Sequence, residues 1–281
     1  MLRYTQIHAH ARSIAQLGNV ISAMRGVAAA RAQQSKQQLE SVRRYADIVT
    51  GAISQILPIV PDEVIQRNDV HATKAVVLIG AEHGFAGAFS EHILTSAGSE
   101  IASLVLLVIG SRALRLVSAR GLKPVWNAQM VSQLSNTSAL ADRICTELYH
   151  QIQIGHVNSI DVIHAKPVEP QGFEILRQQL LPLDYTRFRQ DEARQAPILN
   201  LTPQALLDRL TGEYLFAQLN EAIVHSFAAE NSARLQTMNA ARENIKQRME
   251  SLTSDERLAR QSEITAEIVE LATGSMAADR S

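Results

Sequence analysis

The stretch with the most obvious capacity for chemistry is Gly80-Ala-Glu-His-Gly-Phe-Ala-Gly-Ala-Phe89, which follows an apolar β-branched run and precedes a helical pattern. Glycines at such a junction allow a tight turn at a helix N-terminus, where unpaired backbone N–H groups attract phosphate. The spacing here is neither G-x-G-x-x-G nor the P-loop, and no Lys-Ser/Thr follows Gly87. The plainer reading, a turn where one backbone segment passes close to another, is preferred. His83 has the right type for acid–base work, but no orienting partner is evident, so it is expected to face solvent.

Nine histidines invite a search for metal ligands. His8 and His10 lie two apart on a helical pattern, where their side chains point away from each other. His83 with His92, and His150 with His156, fit no standard ligand spacing. The single cysteine, Cys145, excludes an internal disulfide and a cysteine-based zinc site. It sits mid-helix beside Ile144 and Leu148, as a packed thiol would. No G-x-S-x-G occurs, and the carboxylates are scattered. No catalytic constellation, cofactor or metal is expected.

The elements that would position these residues fall into three parts. From Thr5 to Leu57 there is no proline, and stepping by seven from Ile14 gives Ile21, Ala28, Ser35, Val42, Val49 and Ile56. A companion series runs Leu17, Met24, Arg31, Gln38, Tyr45 and Ala52. Both ends keep an apolar seam, so the segment predicts a helix of roughly 80 Å with a heptad-like stripe, stopped by Pro58 and Pro61. A second tract opens at Thr202-Pro203, a capping residue followed by proline at the first helical position. Its apolar positions recur from Leu206 through Leu219, Ile223, Phe227, Met238, Ile245, Met249, Leu252, Ile264 and Ile268 to Leu271. A helix on the order of 110 Å needs a packing partner. The first helix is the candidate, in antiparallel pairing that leaves some 30 Å of the second uncovered.

Between them the period changes. Lys74–Gly80, Ser103–Gly110 and Ser159–Ala165 are short apolar runs alternating with helical patterns near 90–102, 111–119 and 137–152. That alternation predicts a small parallel sheet covered on both faces. Residues 166–200, with four prolines, are expected to be an extended connection. The implied division is a helical pair of 1–57 with 203–281 and an inserted α/β domain of 58–202.

Composition narrows the classes. Of 281 residues, 46% are hydrophobic and only 4% aromatic, which favours helices packed on helices. The longest apolar run, Leu104 to Ile109, is far short of the ~20 residues that span a bilayer, and the N-terminus lacks a signal peptide's apolar block. Residues 1–57 carry a charge of +5 and residues 203–281 carry −4, although the whole chain is at −1. Opposed arms can pair with each other, or the basic one can seek nucleic acid. The basic arm has only Tyr4 and Tyr45 to stack on bases, and its charges run all round the helix, so pairing is preferred and nucleic acid is not expected.

The segment Ile14-Ala-Gln-Leu-Gly-Asn-Val-Ile-Ser-Ala-Met-Arg-Gly-Val-Ala-Ala-Ala-Arg31 resembles the N-terminal helix of the gamma subunits of F-type ATP synthases. Gly84-Phe-Ala-Gly-Ala-Phe89 is similar to that family's Asp-Arg-Gly-Leu-Cys-Gly turn. Ser232 to Asn244 and Arg260-Gln-Ser-Glu-Ile-Thr-Ala-Glu-Ile-Val-Glu270 resemble its Glu-x-x-Ala-Arg-x-x-Ala-Met-x-x-Ala and Arg-Gln-x-x-Ile-Thr-x-Glu-Ile segments. Order, spacing and length agree over nearly the whole chain. Glu82-His83 and Ala86 stand where the family has Asp-Arg and cysteine, a departure that resembles a divergent branch such as the alternate, sometimes sodium-linked, bacterial F-type ATPases.

The resemblance implies a long antiparallel coiled coil of the terminal helices with an inserted small Rossmann-like α/β domain. It implies a rotor shaft without a catalytic site, turning inside three alpha and three beta subunits. The α/β domain would rest on the epsilon subunit and the membrane c-ring, at the cytoplasmic face of a bacterial membrane. Arg260, Gln261, Thr265 and Glu267 would contact the beta subunits, and Met24 would lie near the rotor–stator boundary. The uncharged end Ala272–Ala278 would suit a tight collar. The competing class is a coiled-coil adaptor whose α/β domain binds a ligand at Gly84 and Gly87.

Overall fold

Helix α1 runs unbroken over Leu2–Ile56, and the Leu57-Pro58 step that ends it turns into a short 3-10 segment. Then follow strand β1 (Lys74–Ile79), helix α2 (Phe89–Ser96), strand β2 (Val105–Ile109), helix α3 (Ser111–Ala119), strand β3 (Trp126–Ala128) and helix α4 (Thr137–Gln153). Strands β4 (Ser159–Pro167) and β5 (Phe173–Leu181) precede helix α5, 76 residues over Pro203–Ala278. The computed structural model describes residues 2–61, 73–155, 157–168, 172–188 and 198–278. Thr202 caps α5 as expected: its hydroxyl accepts from the Ala205 amide at 3.4 Å and its carbonyl from Leu206 at 3.0 Å.

By packing the chain forms two units, Met1–Val27 with Gln236–Ser281, and Ala28–Leu235. The larger holds the sheet, ordered β3-β2-β1-β4-β5. The first four strands are parallel, and β5 returns antiparallel to β4. This corrects two sequence expectations: the sheet is mixed, and the supposed connection 166–200 contains β5. Strand β5 sits at a sheet edge with most residues half-buried or exposed, so it lacks the continuous apolar run of β1 or β2.

One sheet face, with Val77, Ile79, Leu107 and Val162, packs on Leu140, Ile144 and Leu148 of α4 and on Leu215, Leu219 and Ile223 of α5. The other, with Val76, Leu78 and Val108, packs on Phe89 and Ile93 of α2, Val117 of α3, and Ala229 and Ala233 of α5. Helix α5 therefore serves both faces, crossing the carboxyl edge of the strands near Ser226.

In this unit α1 buries Ala28, Ser35, Val42, Val49 and Ile56, the seam read by sevens. The companion seam differs: Leu39, Ala46 and Ile53 are buried, one residue along from Gln38, Tyr45 and Ala52. A four-residue step from the first seam puts them on the inner face. The opposed charges do meet across the helices. Arg43 bonds Glu221 at 3.1 Å, and the Tyr45 hydroxyl donates to Glu213.

In the smaller unit α1 and α5 run antiparallel, with His8 3.1 Å from Glu256, and Gly18 facing Ile245. The inner row of α5 is Met238, Ala241, Ile245, Met249, Leu252, Glu256 and Ala259, at steps of three or four.

Candidate functional site

The glycine turn is built by close approach. A Cβ on Gly80 would fall 2.4 Å from the Ala113 Cβ, and one on Gly110 would fall 2.6 Å from the Ala81 carbonyl oxygen. Gly110 also has φ +102°, a conformation that side chains rarely adopt. The Ala81 carbonyl accepts from Arg112 and Ala113, so the turns after β1 and β2 are stitched together.

Glu82 occupies the place that an anion would seek. Its carboxylate accepts from the Ser111 amide at 2.9 Å, the Ser111 hydroxyl at 2.5 Å and the Met130 amide at 2.8 Å, and so sits on the N-terminus of α3. Burial works against its charge, but the Ser111 hydroxyl and the two amides outweigh it and hold the carboxyl below its ordinary range. His83 is exposed, as expected, and its backbone amide donates to Glu230.

The other side of the turn belongs to α5. Ser226, Glu230 and Arg234 lie at four-residue intervals, one row along the helix, and all three are buried. The Ser226 hydroxyl donates to the Ile79 carbonyl at 3.2 Å and accepts from the Ala165 amide at 3.1 Å, bridging the ends of β1 and β4. The Glu230 carboxylate accepts from the amides of Glu82 at 3.3 Å and His83 at 3.4 Å. Arg234 donates to Glu230 at 2.5 Å, to the Asn231 side chain at 3.1 Å and to the Gly84 carbonyl at 3.3 Å. Ala229 and Ala233 flank the row, and their small size lets the helix approach closely. A phosphate seeking the amides of Glu82, His83, Ser111 or Met130 would have to displace two carboxylates already holding them.

The residues read from the sequence as partner contacts all lie in the smaller unit. Arg260 and Gln261 are exposed, and Thr265 is exposed with its hydroxyl turned back onto the Gln261 carbonyl at 2.8 Å. Met24 is half-buried on α1. Glu267 falls on α5, but its side chain lies outside the described residues, as do those of Ala272–Ala278. The register set by His8 and Glu256 brings residue 2 level with 262, so α5 outruns α1 by about 24 Å. Arg260 and Gln261 thus stand beside the first turn of α1, and only Thr265 and Glu267 lie on the overhang. Leu258, Ile264, Ile268 and Val269 on α5 are all about half exposed or more, as are Leu17, Val20 and Val27 on α1.

Glu230 and Ser226 were not singled out from the sequence, and Glu82 stood there only as a departure from the family's turn. Glu230 opens the Glu-x-x-Ala-Arg segment, and a charged pair at that spacing ordinarily reads as a solvated helix face. The clue was its setting: Ala222 to Arg234 has small or apolar residues on every side, as in a helix buried all round. The pair His150/His156 falls partly outside the described residues, His156 being beyond them.

A family model described as ATP synthase matches residues 3–278. The ATP synthase gamma chain of Burkholderia ambifaria is 25% identical over 289 residues, covering 97% of this chain and 98% of that one. That of Gloeobacter violaceus is 25% identical, covering 95% and 96%. Among solved structures, the rotor of the Euglena gracilis mitochondrial ATP synthase matches with TM-score 0.64 at 13% identity, over 93% of this chain and 98% of that one. The central stalk and c-ring structure of the Tetrahymena thermophila mitochondrial ATP synthase matches with TM-score 0.59 at 18% identity, over 79% and 99%.

Proposed function

The chain belongs to the ATP synthase family, and from that we infer that it is the gamma subunit, the central stalk of an F-type ATP synthase. It rotates within the ring of alpha and beta subunits and couples ion flow through the membrane to ATP synthesis or hydrolysis. It supplies no catalytic group. A shaft drives chemistry by interacting differently with the conformational states of the subunits around it, since only differential interaction shifts an equilibrium. One observation carries this reading: α5 is a single helix whose first part is bonded into a sheet and whose last part carries bare apolar and charged side chains.

Residues 1–57 with 203–281 serve as shaft, and 58–202 as the base that meets the epsilon subunit and the c-ring. Arg260, Gln261, Thr265 and Glu267 face the beta subunits, and Met24 lies at the rotor–stator boundary. No helix among the described residues is long and apolar enough to cross a membrane. The chain is held through the complex at the cytoplasmic face of a bacterial membrane.

The test is co-expression with the cognate alpha and beta subunits, followed by sizing and an ATPase assay with this chain present or omitted. One copy per hexamer, with turnover that depends on it, is expected. A chain that stays alone and leaves turnover unchanged would refute the assignment.

A further inference from the structure

We propose that the buried row Ser226–Glu230–Arg234 is the torque-bearing joint of the molecule, the place where rotation of the α/β domain is handed to the C-terminal helix. This rests on the rotor reading. Apolar packing is non-directional and resists sliding or twisting only weakly. Hydrogen bonds have a preferred axis and weaken steeply off it, so they fix how a helix is turned against a sheet.

Along α5 within the larger unit, this row carries the cross-links from helix to backbone at the carboxyl edge of the sheet. Ser226 bonds to Ile79 and Ala165, Glu230 to Glu82 and His83, and Arg234 to Gly84. Every contact on the sheet side is to a backbone atom. The joint therefore grips the main chain of the turn, which the stitching to Gly110, Arg112 and Ala113 makes rigid. Its location fits the load. Arg234 is the penultimate residue of the larger unit, so the grip sits where the helix leaves the packed body.

Arg234 is a positioning residue. Its guanidinium spans Glu230, Asn231 and the Gly84 carbonyl at once, a geometry that a lysine's single ammonium cannot reproduce. The arginine holds the carboxylate against the two amides, and the carboxylate keeps the arginine from being a stranded buried charge.

The decisive variant removes the pair as a unit. E230L combined with R234M keeps volume and strands no charge, a replacement that buried ion pairs often tolerate. R234K is the milder companion, keeping a charge beside Glu230 while losing the reach to Asn231 and the Gly84 carbonyl. Each is assembled with alpha and beta subunits, with a bead attached through Ser118→Cys on the exposed end of α3; Cys145 is buried and stays unlabelled. Three quantities are read: ATP hydrolysis by the assembled complex, angular variance of the bead at rest, and ATP-driven ion pumping by the membrane-bound enzyme.

For the double variant we expect hydrolysis close to wild type, because the shaft within the ring is untouched. Losing three of the five cross-links at this edge, with Gln178–Gln218 and Asn220–Ser138 still in place, raises the angular variance by a factor of about 1.5 to 2, since stiffness follows the remaining directional bonds. The ratio of pumping to hydrolysis falls, with R234K intermediate. A role confined to stability would lower assembly, hydrolysis and pumping together and leave their ratio unchanged. Wild-type variance and wild-type ratio in either assembled variant overturn the joint. Failure of the wild-type chain to assemble with alpha and beta subunits would instead overturn the rotor reading.

Discussion

The imidazoles of His164 on β4 and His225 on α5 stack with centroids 6.0 Å apart and planes 27° from parallel, both buried in the larger unit. Neither Nδ1 has a hydrogen-bond partner among the described residues. Glu221 and Arg43 approach His225 Nε2, each at 3.3 Å, and Lys166, paired with Glu174, follows along β4. Burial, then repulsion from His225 and Lys166 against the pull of Glu221, pushes the His164 pKa down to about 4.

Protonation of His164 should therefore weaken the fold in acid. The unfolded chain takes up its proton near pH 6.5 and the folded one only near 4, so stability falls as pH drops through that interval and is fully present above it. The full effect is about 3 kcal/mol from this group. Urea midpoints of the full chain between pH 8 and 4 should fall more steeply for wild type than for His164→Leu. Parallel curves would contradict the assignment.

The two glycines at the stitched turns should be intolerant, and Gly84 indifferent. Gly110→Ala combines a disfavoured φ with a collision against the Ala81 carbonyl and should cost about 3 kcal/mol. Gly80→Ala meets the Ala113 Cβ and should also lower the melting temperature. Nothing lies within 4 Å of a Cβ on Gly84, so Gly84→Ala should change stability by no more than about 0.5 kcal/mol. Equal effects at all three positions would undo the close-approach account of the turn.

Glu82 should be worth about 1 kcal/mol to the fold, given charge-assisted bonds at a partly exposed site. Its carboxyl is held below the ordinary range, so its contribution is present above the unfolded value near 4.3 and lost as pH falls through the lower folded one. Glu82→Gln should lower the melting temperature at pH 7, and the gap to wild type should shrink as pH falls below the unfolded value, measured by calorimetry.

Much of this architecture was legible in the sequence because long elements repeat their signal. Ile14 to Ile56 by sevens is the inner row of α1, and the apolar runs around Val77, Leu107 and Val162 are strands. The companion row misled because Leu17 and Met24 are more apolar than the inward Gly18 and Arg25; Leu17 is 57% exposed. β3 is three residues long, and β5 carries Glu174, Arg177, Gln178 and Gln179 between its apolar positions, too mixed for a buried-strand pattern. The Glu230–Arg234 pair was hidden for another reason: pattern reading places charges outside, and only the packing of Ala229 and Ala233 against the sheet puts them inside.

Arg260→Ala and Gln261→Ala should lower coupling or assembly and spare the fold. Both side chains are exposed, so the isolated chain should lose no more than about 0.5 kcal/mol. Unchanged ATP-driven rotation and pumping in both variants would remove these residues from the partner surface.

A rotor shaft can be watched turning. With the alpha–beta ring fixed to a surface and a bead on Ser118→Cys, ATP should drive rotation in one direction, in steps of a third of a turn. A bead that stays still, or only diffuses, while the ring hydrolyses ATP would contradict the account.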